Sequence, residues 1–121
     1  MNSFRKLSVL IVEDEAMIRM LLCDMLEELG HVIAGQAARV DEALALVNSQ
    51  LAFDLAILDV NLDGQTAEPI AAAVERRGVP FVFATGYGAS GVPQKFRGRP
   101  VLQKPFAVHN LSQVLQTIID P

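Results

Sequence analysis

Short apolar runs of four to six residues alternate along the chain with longer stretches whose apolar positions recur every three or four residues. The first rhythm is that of strands buried on both faces, the second that of helices lying on a core. The first strand is predicted over Ser8–Val12. A helix follows from near Glu15 to Leu29, with Ile18, Leu21, Leu22, Met25 and Leu29 as its inward stripe and Gly30 as its stop. A weak second strand at Val32–Gly35 reads as an edge, and a helix over about Val40–Ser49 turns Val40, Ala43, Leu44 and Val47 inward. Leu55–Leu58 is the third strand. The third helix is predicted from Thr66, as N-cap, to about Arg77. Pro69 is acceptable in its first turn, where no intrahelical N–H bond is lost, and Gly78 ends it. Val79–Ala84 and the run Pro100-Val101-Leu102-Gln103 supply two more strands. Val108–Ile119 closes the series as a helix, with Leu111, Val114, Leu115 and Ile118 at helical spacing.

One unit breaks the rhythm. Gly86 to Arg99 holds four glycines and a proline, so at most one helical turn is expected there, around Pro93–Phe96. Five βα units of this length otherwise imply an open parallel sheet with helices on both faces. In such sheets ligands gather at the carboxyl ends of the strands.

Those ends carry charge. The first strand runs into Glu13-Asp14, the third into Asp59 and the fifth into Lys104-Pro105, while Thr85 ends the fourth. Singly, each is an ordinary strand-end or turn residue. Brought together by parallel strands, they form the chemistry of a metal-assisted phosphoryl site. Carboxylates suit a hard cation such as Mg²⁺: Asp14 and Asp59 could bind directly and Glu13 through water. A carboxylate can also attack phosphorus to give an aspartyl phosphate. Mg²⁺ and Lys104 would neutralise the equatorial oxygens, and the Thr85 hydroxyl could donate to one of them.

Composition narrows the function classes. The 121 residues are the size of one domain, expected to span 1–121, and 51% hydrophobic against 20% charged residues fits a compact fold. Cys23 is alone, so no internal disulfide or cysteine metal cage forms, and a cytoplasmic setting is expected. No apolar run is long enough for a membrane span. The net charge of −4 gives no support to nucleic-acid binding. His31 and His109 lack metal-ligand spacing and read as structural. Met17, Met20 and Met25 read as core and interface filler, and Lys95, Arg97 and Arg99 as a small solvated basic cluster.

From Val9 to Ile119, these residues and their order resemble the receiver domain of two-component response regulators. The resemblance implies a flavodoxin-like, doubly wound five-stranded parallel sheet of order 2-1-3-4-5, with the fourth helix shortened or disordered. It implies Asp59 as phosphoacceptor from a kinase phosphohistidine, and Glu13 and Asp14 as the acidic metal pair. The Asn61 backbone carbonyl becomes a further ligand for Mg²⁺ (or Mn²⁺), Thr85 the switch hydroxyl, and Lys104 the phosphate-contacting lysine. Lys104-Pro105 would carry a cis peptide. The family usually places an aromatic switch residue three positions before the lysine, where this chain has Val101. The motif Phe83-Ala84-Thr85-Gly86-Tyr87 is instead similar to that of FATGUY receivers, which implies Tyr87 as the aromatic switch and an HWE-class sensor histidine kinase as phosphodonor. The output, whether a downstream protein or a phosphate sink, is left open; a single-domain regulator is expected.

Two other classes compete. A phosphatase of the haloacid dehalogenase type also uses a strand-end aspartate, but needs a general acid two residues later, where Asn61 stands. A flavin-binding module needs a phosphate loop after the first strand, where Glu13-Asp14-Glu15 would repel phosphate. The expectation is therefore a phosphoryl-accepting switch rather than a turnover enzyme.

Overall fold

The computed structural model describes residues 5–86 and 91–119. Its central sheet is parallel and five-stranded. The strands are β1 (Ser8–Val12), β2 (Val32–Ala37), β3 (Leu55–Asp59), β6 (Phe81–Thr85) and β7 (Val101–Gln103), in the order β2-β1-β3-β6-β7. Between β3 and β6 lies a two-stranded antiparallel hairpin, β4 (Asn61–Leu62) and β5 (Gln65–Thr66). Discounting that hairpin, the order is the expected 2-1-3-4-5.

Every residue of β3 and β6 is buried, as are Val9–Val12 of β1. This is why the strands read as unbroken apolar runs: a parallel sheet covered on both faces needs no polar alternation. The alternation survives as a division between two cores. Leu10, Val12, Ala56, Leu58, Phe81 and Phe83 face one core with α2 (Val40–Val47) and α3 (Glu68–Arg76). Val9, Ile11, Leu55, Ile57, Val82 and Leu102 face the other with α1 (Ala16–Glu28) and α4 (Val108–Ile119).

Local sequence sets the helix ends. Gly30, at φ 91°, closes α1: its N–H donates to Glu27 O, and the N–H of His31 donates to Leu26 O. That pair of bonds is a Schellman cap. His31 is structural, as expected. It is buried, and its Nδ1 accepts the backbone N–H of Leu7 at 3.0 Å. The third helix departs from expectation. It starts at Glu68 with Ala67 in the N-cap position, because Thr66 belongs to β5. Thr66 still serves the helix through its hydroxyl oxygen, which accepts the N–H of Glu68 at 3.2 Å.

The stripe of α1 also differs. Leu22, Met25 and Leu26 are buried, Ile18 and Leu29 half-buried, and Leu21 is 47% exposed. A helix on a sheet seals only a narrow arc, and Leu21 falls just outside it.

Among the described residues between β6 and β7 the chain forms a 3₁₀ turn, Gln94–Phe96, and no α-helix. Two side chains do the covering that a helix would do. Val92 and Phe96 are buried in the α2–α3 core, where Phe96 meets Phe81 edge-on at 5.4 Å and Phe83 at 6.0 Å between ring centroids. The Arg99 guanidinium lies over the rings of Phe81 and Phe96 and pairs with Glu75 of α3. Arg99 of the basic cluster, although exposed, is thus also a stitch between loop and helix. Among the described residues, no helix is long and apolar enough to cross a membrane.

Candidate functional site

The strand alternation also aims the site. Val9 and Ile11 face the α1–α4 side, and so does Glu13, next in that phase. Leu55 and Ile57 are followed by Asp59, and Leu102 by Lys104. Three strands thus deliver two acids and a lysine to the same side of the same sheet end. Lys104 Nζ stands 2.8 Å from Oε1 of Glu13 and donates a hydrogen bond to Oδ2 of Asp59 at 3.2 Å. Its own N–H donates to Thr85 O at 2.8 Å, and the Lys104–Pro105 peptide is cis.

Glu13 is 1% exposed and Asp59 6%. Glu13 extends β1 by one bond, its N–H donating to Ala37 O at 3.0 Å. Its Oε2 accepts the N–H of Glu15 at 3.0 Å. Asp59 Oδ1 accepts the N–H of Asn61 at 3.3 Å. Asp14, half-buried at the rim, accepts the N–H of Asp63 on Oδ2 at 2.9 Å. Thr85 is buried at the C-terminal end of β6, one residue beyond Ala84, which pairs with Asp59. Tyr87 lies outside the described residues.

Burial is the largest single influence on each charged group of the cluster, though it does not prevail at all of them. It pushes the Glu13 carboxyl up to about 7, with the charge of Asp59 adding to the rise, against the Lys104 ammonium and the Glu15 N–H. Burial also raises Asp59, with the Lys104 charge and the Asn61 N–H opposing it. At Asp14 burial is outweighed by the Asp63 N–H and by hydrogen bonds with Glu13 and Asp59, so its carboxyl lies below the usual range. At Lys104 burial is outweighed by Glu13 and Asp59, which hold the ammonium above its ordinary value.

One oxygen from each of Glu13, Asp14 and Asp59 comes within 4.8 Å of the others. Among the described residues, no aligned hydrogen-bond donor reaches the buried Oε1 of Glu13, although Lys104 faces it. Three carboxylates against one ammonium leave an excess of negative charge, in an all-oxygen setting that fits a hard divalent cation.

The structure thus brings Glu13, Asp14, Asp59 and Lys104 into one cluster, with the Asn61 backbone on Asp59 and Thr85 beside it. Sequence reasoning passed over Arg19, whose NH1 donates to the Glu13 carbonyl at 2.7 Å, and the hairpin that presents the Asp63 N–H. The hairpin had a signal. Asp63-Gly64 is the dipeptide favoured in two-residue hairpin turns, and both residues take positive φ, 53° and 86°.

Comparison with known proteins agrees with this geometry. The profile of the response regulator receiver domain matches residues 9–116. The transcriptional regulatory protein PdtaR of Mycobacterium tuberculosis is 32% identical over 115 residues, covering 92% of this chain and 56% of its own. The phyllosphere-induced regulator PhyR of Methylorubrum extorquens is 31% identical, covering 88% of this chain and 41% of its own. The chain therefore spans about half the length of these curated relatives. Among solved structures, SdrG of Sphingomonas melonis Fr1 superposes with a TM-score of 0.84 at 43% identity, covering 98% of this chain and 99% of that one. The BeF3-activated conformation of SdrG superposes with a TM-score of 0.79 at 44% identity, covering 93% and 95% of the two chains. A strand-end acid cluster paired to a lysine, on a sheet of this order and in a chain matched over nearly its whole length, places the chain in the response regulator receiver domain family.

Proposed function

We propose that this chain is a phosphoryl-accepting switch of two-component phosphorelay signalling, with Asp59 as the acceptor. The observation that carries this reading is the placement of Asp59. It is buried at the end of β3, bonded to Lys104 and in reach of two further carboxylates. In the transfer, an Asp59 carboxylate oxygen forms a bond to phosphorus as the phosphorus–nitrogen bond of a phosphohistidine breaks. The electron pair returns to the imidazole. Lys104, already 3.2 Å from Asp59, would face the incoming phosphoryl oxygens, and the Thr85 hydroxyl would be drawn toward them. Asp14, Asp59 and the Asn61 carbonyl would hold Mg²⁺ (or Mn²⁺), with Glu13 acting through water. That ion supplies charge neutralisation of the transferring group.

The readout we assign to Thr85, Tyr87 and the 86–99 loop, in the manner of FATGUY receivers, because Val101 leaves the usual aromatic position empty. Phosphorylation adds about −1.5 to −2 charges at pH 7, and a shift of Thr85 would act on the segment that follows it. The activated conformation of SdrG, a relative at 44% identity, supports a two-state reading.

The partner we propose is a sensor histidine kinase, of the HWE class if the FATGUY reading holds. Met17 is 83% exposed, Met20 62% and Leu21 47%, and with Ile18 they form an apolar surface on α1 directly after the acidic turn. That surface suits docking of the protein that carries a phosphohistidine to Asp59.

The test is incubation with a small phosphodonor such as phosphoramidate and Mg²⁺, followed by intact mass. Wild type should gain one phosphoryl group and Asp59→Ala none. A phosphorylated Asp59→Ala would sink the assignment.

A further inference from the structure

The turn from β1 into α1 carries three consecutive acids, Glu13, Asp14 and Glu15, beside a fourth, Asp59. Like charges so close repel, and an unsupported turn would splay its carboxylates into water. Besides the Lys104 ammonium, two contacts from other elements oppose this. From α1, Arg19 NH1 donates to the Glu13 main-chain carbonyl at 2.7 Å. From the β4–β5 hairpin, the Asp63 N–H donates to the Asp14 carboxylate at 2.9 Å.

The hairpin is itself a fixed part. Its tip is shaped by Asp63 and Gly64 at positive φ and closed by the Gly64 N–H, which donates to Oδ1 of Asn61 at 2.8 Å. At its base, the Asn61 N–H donates to Asp59 Oδ1 at 3.3 Å. One short piece of backbone therefore holds Asp59, on β3, and Asp14, after β1, at a set separation. Arg19 holds the other side of the same turn.

We infer that Arg19 and the Asn61–Gly64 turn are a two-sided clamp that presets the carboxylates of Glu13, Asp14 and Asp59 for a small divalent cation. The inference rests on the metal-assisted reading above and adds Arg19, Asp63, Gly64 and the Asn61 side chain, which that reading does not use. Its basis is that Mg²⁺ accepts only near-ideal oxygen geometry, so the groups that hold its ligands govern affinity. Arg19 is thus a positioning residue and touches no reacting atom.

Charge and position make opposite predictions for Arg19, which makes the test decisive. Deleting a cation near acidic ligands should tighten divalent binding by electrostatics alone. Deleting a clamp should weaken it, by about tenfold on the precedent of outer-shell partners. The experiment measures Mn²⁺ binding by electron paramagnetic resonance, and Mg²⁺ by competition, in wild type, Arg19→Met, Arg19→Lys and Asn61→Ala. Melting in EDTA establishes that each variant is folded. Asn61→Ala keeps the backbone carbonyl but removes the acceptor that closes the turn, so it tests the clamp from the hairpin side should Arg19→Met not fold. The clamp predicts weaker binding in Arg19→Met and Asn61→Ala, with part of the loss recovered in Arg19→Lys. Unchanged or tighter binding in the folded variants overturns it. A wild type that binds neither ion overturns the metal-assisted reading itself, and is thereby told apart from failure of the clamp alone.

Discussion

Lys104 places its ammonium 2.8 Å from a buried oxygen of Glu13 that, among the described residues, no aligned hydrogen bond satisfies. The lysine limits the charge problem of the site without solving it, and Glu13 retains a proton up to about pH 7 instead of its ordinary 4.5. Between those two values the folded state binds more protons than the unfolded one. The Glu13 contribution to stability is therefore complete below about pH 4.5 and is lost as pH rises through about 7. In EDTA, the melting temperature of wild type relative to Glu13→Gln should fall between pH 5 and pH 8, by several degrees for a loss on the order of 1–2 kcal/mol. Mg²⁺ should reverse the trend, since it competes with the proton. A pH-independent difference between the two proteins would contradict the assignment.

Lys104 and a divalent cation address the same negative charge. Lys104→Met should therefore bind Mg²⁺ several-fold more tightly at pH 8 while accepting a phosphoryl group more slowly from phosphoramidate. Affinity and rate moving in opposite directions would separate neutralisation of the resting acids from neutralisation of the transferring group. Titration and single-turnover phosphorylation on the same sample measure both.

The apolar face of α1 should matter to a protein donor and not to a small one. Met20→Glu sits on an exposed position, so its melting temperature should stay close to wild type. Phosphotransfer from the cognate kinase should slow by tenfold or more, with phosphoramidate labelling unchanged. Equal slowing with both donors would place the effect in the site instead of on the docking surface.

Two substitutions in the β6–β7 crossover should differ in scale. Phe96 is fully buried against Phe81 and Phe83, and Phe96→Ala should cost about 3–5 kcal/mol. Arg99 pairs with Glu75 at the surface, both side chains being well exposed, and stacks on two rings; Arg99→Ala should cost about 1 kcal/mol. Urea unfolding of both variants, with a double-mutant cycle through Glu75→Ala, measures each.

Much of this was legible in the sequence because parallel strands announce themselves as apolar runs. Ser8–Val12 and Val108–Ile119 match residue for residue, and charge at the strand ends located the acid cluster. What the sequence left hidden depended on contacts across long separations. Arg19 reads as one more basic residue on a helix until its guanidinium is seen on the Glu13 carbonyl. Asp63 contributes through its N–H, which no residue type advertises. Leu21 fits the helical period but sits beyond the arc the sheet covers. Thr66 satisfied the rule for a cap and was drawn into β5 by its pairing with Asn61.

The alternation that sends Glu13, Asp59 and Lys104 to one side of the sheet has a consequence for divergence among such proteins. Their spacing is written into strand pairing, Val12 against Leu58 and Asp59 against Ala84. The docking surface proposed above lies elsewhere, on the outer face of α1. On that proposal, sequence drift at Met17 or Met20 would change the partner without disturbing the chemistry. A one-residue slip in any of three strands would erase the chemistry and leave the wiring intact.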